Sequence, residues 1–219
     1  MQMFDPQGRK QVDDFNWSTY TRDYYLKEAI QAQERGEEFI IEGKTDRING
    51  KIVFPKGLHQ LYINLYLDVL DKKVKSVFEI GCGGGHSLFN ISYLGSKYSE
   101  AINVGGMELT ENQMKIMSEF YNVPDRITKN IIIGDASDSE TILPKEFEYV
   151  FTNAVLMHLT DSKVNAIMKN LLIMNPKYIR FTEDLTQHNY DRLFLESGLI
   201  TKYEVVTEDL PNTKLLKRR

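Results

Sequence analysis

A chain of 219 residues, 42% hydrophobic and 26% charged, is long enough to bury one full core and has an ordinary globular balance. No apolar run reaches the ~18 residues of a membrane span, and a net charge of −4 gives no global attraction for DNA or RNA, which sets aside membrane insertion and bulk nucleic-acid binding. The single cysteine, Cys82, excludes an intrachain disulfide and a cysteine-built zinc site, and no His, Cys and carboxylate cluster has metal-ligand spacing.

Met1–Asp5 has neither a basic start nor an apolar signal core, so a cytoplasmic protein is expected. Residues 1–14 read as a polar arm. Helical spacing then runs from Phe15 to Glu34 and sets Trp17, Tyr20, Tyr24 and Ile30 near one face. That face is either a core stripe or an aromatic cover over an acceptor pocket, where tyrosines offer both a ring and a hydroxyl. Gly36, Gly43, Gly50, Pro55 and Gly57 break the next stretch into a connector or mobile lid, with a short hairpin expected between Glu38–Glu42 and Lys51–Phe54. A helix follows over 58–70 on the stripe Leu58, Leu61, Leu65 and Val69. His59 opens it, as a cap or as an acceptor-binding group.

From Ser76 apolar segments alternate with helical ones, the pattern of a doubly wound, Rossmann-like α/β sheet covered on both faces. Strands are expected near 76–80, 102–107, 129–133, 147–152, 177–183, 201–207 and 212–218, with helices near 86–95, 111–121, 161–174 and 186–197. The link between the last two strands is too short for a parallel crossover, so a seven-stranded, mostly parallel sheet ends in an antiparallel strand. The chain divides into an N-terminal extension, 1–57, and a main domain, 58–219. The basic end Lys214–Arg219 reads as a solvated strand edge or a contact for an anionic substrate.

Within this pattern the run Ser76–Leu88, Ser-Val-Phe-Glu-Ile-Gly-Cys-Gly-Gly-Gly-His-Ser-Leu, is a strand, a glycine turn and a helix start. Glycine permits positive φ and lets a ligand approach where a Cβ would clash, so the turn suits a nucleotide-like ligand over a helix N-terminus. A P-loop would need Gly-Lys-Ser/Thr, and the dinucleotide fingerprint would need glycine where His86 stands. The spacing that remains is Glu-x-Gly-x-Gly-x-Gly, at Glu79, Gly81, Gly83 and Gly85.

In this motif the chain resembles the class I S-adenosylmethionine (SAM)-dependent methyltransferases, and three later segments extend the resemblance over about 58–219. Glu108, closing Val104–Leu109, is where the family places a carboxylate on the ribose. Ile131–Ala136 matches the acidic-then-small pair around the adenine, and Phe147–Leu159 matches the segment after the fourth strand. The cofactor contacts implied are Glu79, Gly81, Cys82, Gly83, Gly85, Glu108, Leu109, Asp135, Ala136, Asn153 and Ala154. By the same resemblance the substrate side would draw on Trp17, Tyr20, Tyr24 and His59.

SAM's methyl carbon is electrophilic, so the protein's task is to hold an acceptor in line behind it. A phosphate, phosphoramidate or carboxylate acceptor needs no base, whereas a sugar hydroxyl does. His158 is the first candidate base, one helical turn past the fourth strand on the family's acceptor side, unless it packs over the cofactor instead. Glu183 and His188, beyond the fifth strand, project from the same sheet edge and would bind acceptor or act as base. Thr152-Asn153-Ala154-Val155 replaces the Asn/Asp-Pro-Pro-aromatic motif, which argues against amine acceptors of the adenine or glutamine type. The wording from Thr152 to Leu159 is similar to methyltransferases of bacterial surface-saccharide and capsule biosynthesis, pointing to an anionic or nucleotide-linked sugar. A non-catalytic SAM-binding module and an NAD-dependent oxidoreductase are the alternatives. The sequence is silent on oligomeric state.

Overall fold

A computed structural model describes residues 22–141, 143–206 and 212–219. In chain order the elements are α1 (Arg22–Glu34), β1 (Asp46–Ile48), β2 (Lys51–Val53), α2 (Gln60–Asp71), β3 (Ser76–Ile80), α3 (His86–Tyr98), β4 (Asn103–Glu108), α4 (Glu111–Phe120), α5 (Asp125–Thr128) and β5 (Ile131–Ile133). There follow β6 (Tyr149–Asn153), a 3-10 turn at Leu156–His158, α6 (Asp161–Met174), β7 (Tyr178–Thr182), α7 (Tyr190–Ser197), α8 (Leu199–Lys202), β8 (Tyr203–Val206) and β9 (Thr213–Arg218). No helix among the described residues is long and apolar enough to cross a membrane.

The main sheet has the order β5-β4-β3-β6-β7-β9-β8. All neighbours pair in parallel except β9, which runs antiparallel between β7 and β8. The expected architecture is therefore present, with β9 as the reversed strand. Its two sides follow from the period-2 alternation of strand side chains. Val77, Tyr149 and Phe151 pack with Leu65 and Val69 of α2 and Leu88, Ile91 and Leu94 of α3. Phe78, Val150, Ile179 and Phe181 pack on the other side with Val164, Ile167 and Leu171 of α6 and with Leu193 and Phe194 of α7. Each such buried side chain contributes roughly 1.5–3 kcal/mol against leaving it in water. A sheet closed on both faces leaves one open place for a ligand, the edge where the parallel strands end. Gly81, Leu109, Gly134, Ala154 and Glu183 each follow a strand end at that edge.

The N-terminal part differs from expectation in two ways. Among the described side chains of α1, Leu26, Ala29 and Ala32 are buried, while Ile30 is 42% exposed and so is not part of a core stripe. Leu26 meets Ile116, Met117 and Phe120, which sets α1 against α4. Trp17 and Tyr20 lie outside the described residues. The hairpin pairs Asp46–Ile48, not Glu38–Glu42, with Lys51–Val53. Its turn is Asn49-Gly50, both at positive φ (51° and 80°), as a two-residue type I′ turn requires.

Within residues 38–42, Glu38 forms an isolated parallel bridge with Leu58, and Phe39 and Ile41 bond to a buried amide of α3. The Ile41 N–H donates to Asn90 Oδ1 at 3.2 Å, and Asn90 Nδ2 donates to the Phe39 carbonyl at 2.7 Å. Further along, Lys97 Nζ donates to the Thr45 carbonyl at 2.6 Å. The stretch expected as a connector or mobile lid is thus bonded to α3 at Phe39, Ile41 and Thr45.

Candidate functional site

The glycine turn is shaped by three left-handed residues, Gly81 (φ 70°), Gly83 (φ 53°) and Gly85 (φ 80°). Their neighbourhoods differ. A Cβ on Gly81 would lie 2.4 Å from Val155 Cγ2, so the turn touches the segment after β6. One on Gly84 would lie 2.3 Å from the Ser118 nitrogen, so that glycine serves close packing against α4. One on Gly83 would meet nothing within 4 Å, which leaves its backbone facing open space.

Glu108 stands across from the turn. Its Oε2 accepts from the Gly83 N–H at 2.9 Å and its Oε1 from the Thr110 N–H at 3.3 Å. Burial raises its pKa, offset in part by these backbone donors and by Leu109. Leu109 itself is 39% exposed, an apolar surface beside the carboxylate. Glu79, at the end of β3, is 3% exposed, and its Oε2 has no hydrogen-bond partner. Burial, and then the nearby Glu108 charge, push Glu79 well above the usual carboxylate range. Cys82 is buried, and burial followed by the same two carboxylates raises its thiol pKa, so it stays protonated and only its backbone lies in the turn.

Asp135 Oδ1 accepts from the Ser137 N–H (2.8 Å) and hydroxyl (2.6 Å), and Lys163 Nζ donates to its Oδ2 at 3.3 Å. Burial would raise Asp135, but the Ser137 bonds and the Lys163 charge outweigh it and leave the acid below its ordinary value. Ala136 is buried, and its carbonyl accepts from Asn170 Nδ2 at 2.9 Å. Asn153 and Ala154 lead into the 3-10 turn. Ala154 holds φ 55°, a strained value for a residue with a Cβ, and its N–H donates to the Thr182 carbonyl at 2.9 Å. His158 is half-buried; burial lowers its pKa against an opposing backbone hydrogen bond at Ala154.

The other expected site residues are placed as follows. Thr152 Oγ1 (2.6 Å) and the Val155 N–H (3.2 Å) donate to Glu183 Oε1, and the Met157 N–H donates to Oε2 at 3.3 Å. Both Glu183 oxygens therefore serve the segment after β6. His188 is 7% exposed, with Nδ1 2.6 Å from Asp161 Oδ1 and Nε2 2.8 Å from the Leu156 carbonyl. His59 is exposed at the start of α2, where its Nδ1 accepts from the Leu61 N–H at 3.2 Å, a capping contact. Tyr24 lies in α1.

Two residues not anticipated stand beside the turn. The Tyr62 hydroxyl of α2 is 3.3 Å from His86 Nε2, and Tyr62 also hydrogen-bonds the side chain of Asn153. The His86 ring lies 4.8 Å from that of Tyr121 and 6.0 Å from that of Phe39, and burial pushes its pKa down to about 4. The signal available was the Tyr62–Tyr66 pair, four residues apart on one helical face. Among the described residues no group of three or more His, Cys, Asp and Glu could hold a metal ion.

In sequence, no family model and no curated protein matches this chain. In structure it is similar to magnesium protoporphyrin IX methyltransferase (ChlM) from Synechocystis PCC 6803 with bound SAM, at 12% identity and a TM-score of 0.58, covering 95% of this chain and 100% of that one. It is similar also to the S-adenosylhomocysteine (SAH)-bound Podospora anserina methyltransferase PaMTH1, at 16% identity and a TM-score of 0.52, covering 95% and 99%. The methyltransferase domain of bacterial CtHen1 matches at 15% identity and a TM-score of 0.53, covering 73% of this chain and 98% of that domain. At such identities the likeness establishes the fold, one shared by SAM-dependent methyltransferases.

One prediction tests the carboxylate opposite the turn. Glu108→Ala deletes the acceptor of the Gly83 N–H and is expected to weaken SAH binding by about 1.5 kcal/mol, roughly tenfold, as for a lost charge-assisted hydrogen bond. Isothermal titration of wild type and variant measures it, and equal affinities would put the ribose contact elsewhere.

Proposed function

We propose that this chain is a SAM-dependent methyltransferase that transfers a methyl group to an oxygen of a small-molecule acceptor. The observation that carries the reading is the pairing of an open, left-handed Gly83 with two buried carboxylates, Glu108 on its N–H and Glu79 with an unpartnered oxygen. SAM fits this set. Gly83 leaves room for close approach, Glu108 has the position of a ribose acceptor, and an unpartnered buried acid calls for a cation such as the ligand's ammonium. Leu109 offers an apolar face to a base.

When bound, SAM supplies a methyl carbon activated by a sulfonium. The protein's share is to orient donor and acceptor and to exclude water. His158 is the base in this reading: burial lowers its pKa, which favours at pH 7 the neutral ring that a base needs. A sugar hydroxyl or a phosphate-type oxygen is the acceptor we favour, supported by the absence of the Pro-Pro-aromatic motif after Asn153 and by the saccharide-type wording of Thr152–Leu159.

Calorimetric titration with SAM, SAH and NAD in parallel tests the reading: binding of the first two alone supports it, and binding of NAD alone overturns it. With an acceptor found by screening nucleotide-linked sugars and phosphorylated compounds, His158→Ala is expected to lower turnover at least about tenfold with SAM affinity nearly intact. Because the pKa of His158 is lowered, the wild-type rate should rise with pH through a midpoint below the ordinary histidine value of about 6.5 and be flat at neutrality. A loss of SAM affinity equal to the loss of turnover would make His158 a cofactor support instead.

A further inference from the structure

The segment from Ala154 to His158 is held partly from within, by a hydrogen bond between the His158 ring and the Ala154 backbone. It begins at a strained Ala154, and its 3-10 turn holds three residues, with the His158 N–H donating to the Val155 carbonyl at 3.1 Å. Two side chains from beyond β7 also hold it from outside. Glu183 takes the Val155 and Met157 N–H groups, one on each oxygen, and His188 Nε2 meets the Leu156 carbonyl between them. Three consecutive residues are thus gripped through their backbones.

We propose that Glu183 and His188 are positioning residues, which fix the backbone of residues 155–157 and through it the ring of His158 at the methyl-transfer site. The proposal rests on the methyltransferase reading above. The two residues reach this role because β7 ends beside β6 at the same sheet edge, so the first residue past β7 faces the first turn past β6.

His188 is itself held. Asp161 of α6 faces its Nδ1, Arg192 of α7 pairs with Asp161, and the Tyr190 ring stands edge-on at 5.8 Å and 88°. The charged and titratable groups around it are Asp161 and Arg192, with Glu183 and Asp184 on the loop after β7 and Tyr190 beginning α7. Its two ring nitrogens are taken up by Asp161 and by the Leu156 carbonyl. A group committed in this way is unsuited to shuttling a proton from an acceptor, and the same holds for a carboxylate whose two oxygens already accept three hydrogen bonds. The two residues that share the sheet edge with His158 serve that edge by shaping it.

Histidine Cε1–H NMR titration of the full chain, with SAH titrations alongside, tests this without knowledge of the acceptor. The chain has four histidines, and His86, at the other side of the turn, is an internal control. In His188→Ala the His158 midpoint is expected to climb by at least about half a unit toward its ordinary value, and SAH affinity to fall about threefold or more, with His86 unmoved and thermal unfolding still cooperative. His188→Gln keeps a donor in reach of the Leu156 carbonyl and should return His158 most of the way. An unchanged His158 midpoint and SAH affinity in folded His188→Ala overturns the proposal. Should that variant not fold, Glu183→Gln sets an amide donor against the Met157 N–H, and an unmoved His158 there overturns it equally. Failure of the wild-type chain to bind SAH would defeat the methyltransferase reading, whereas the His158 shift tests the positioning role by itself.

Discussion

Gly83→Val should abolish measurable SAH binding, a loss of at least about 100-fold, while the chain still folds. Two properties of the position lead there. Its φ of 53° is one that a β-branched residue adopts only under strain, which costs stability of roughly 1–2 kcal/mol. The space its Cβ would enter is empty of protein within 4 Å, so the side chain meets no neighbour that would unfold the domain. What it meets is any ligand that approaches the backbone. Gly84→Ala provides the contrast, because its Cβ would run into the backbone of α4 at Ser118 and Met117. That variant should lose thermal stability first and ligand affinity only as a consequence. Circular dichroism melts and SAH titrations on both variants separate the two glycines. A Gly83→Val protein that binds SAH at wild-type strength would show that the ligand does not cross this turn.

The same contrast marks how far the residues alone could be read. A glycine motif, a strand-end acid and a period-2 apolar pattern are local features, and they were sufficient for the sheet, its reversed strand and the edge where the turns gather. Which glycine faces open space and which faces a helix is not local: Gly84 is pinned by residues 33 and 34 positions further on. What Glu183 and His188 touch is not local either. Acid and imidazole at a sheet edge suit proton transfer, and only the fold shows that Glu183 meets the Thr152 hydroxyl with the Val155 and Met157 N–H groups, and that His188 meets Asp161 and the Leu156 carbonyl. In the N-terminal part the missed register had a visible signal. Asn49-Gly50 is the strongest short hairpin turn in the chain, but the apolar run Phe39–Ile41 competed for the strand, and its bonds go to the remote Asn90.

Glu79→Gln should have opposite effects on the empty and the liganded protein. Burial first, and the Glu108 charge second, raise the folded pKa of Glu79 above its unfolded value. A group so raised binds its proton more tightly in the folded chain, so the stability it confers is complete below the unfolded pKa and is lost as pH rises through the folded one. The neutral isostere removes that loss. Ligand-free Glu79→Gln should melt a few degrees above wild type at pH 8, about 2–4 °C for each kcal/mol gained in a chain of this size, and no higher at pH 4. With ligand the sign reverses. A cation brought to the unpartnered Oε2 favours the ionised acid, so wild-type binding of SAM should release protons at pH values above the ordinary carboxylate range and strengthen with pH. The variant, lacking a charge to offer, should bind about 10–100-fold more weakly, the range of a lost charge-assisted hydrogen bond, with no proton release. Calorimetry in two buffers of different ionisation enthalpy reads both affinity and proton release. Equal affinities with no difference between buffers would mean that the ligand's ammonium lies away from Glu79 and that the buried acid serves the end of β3 alone.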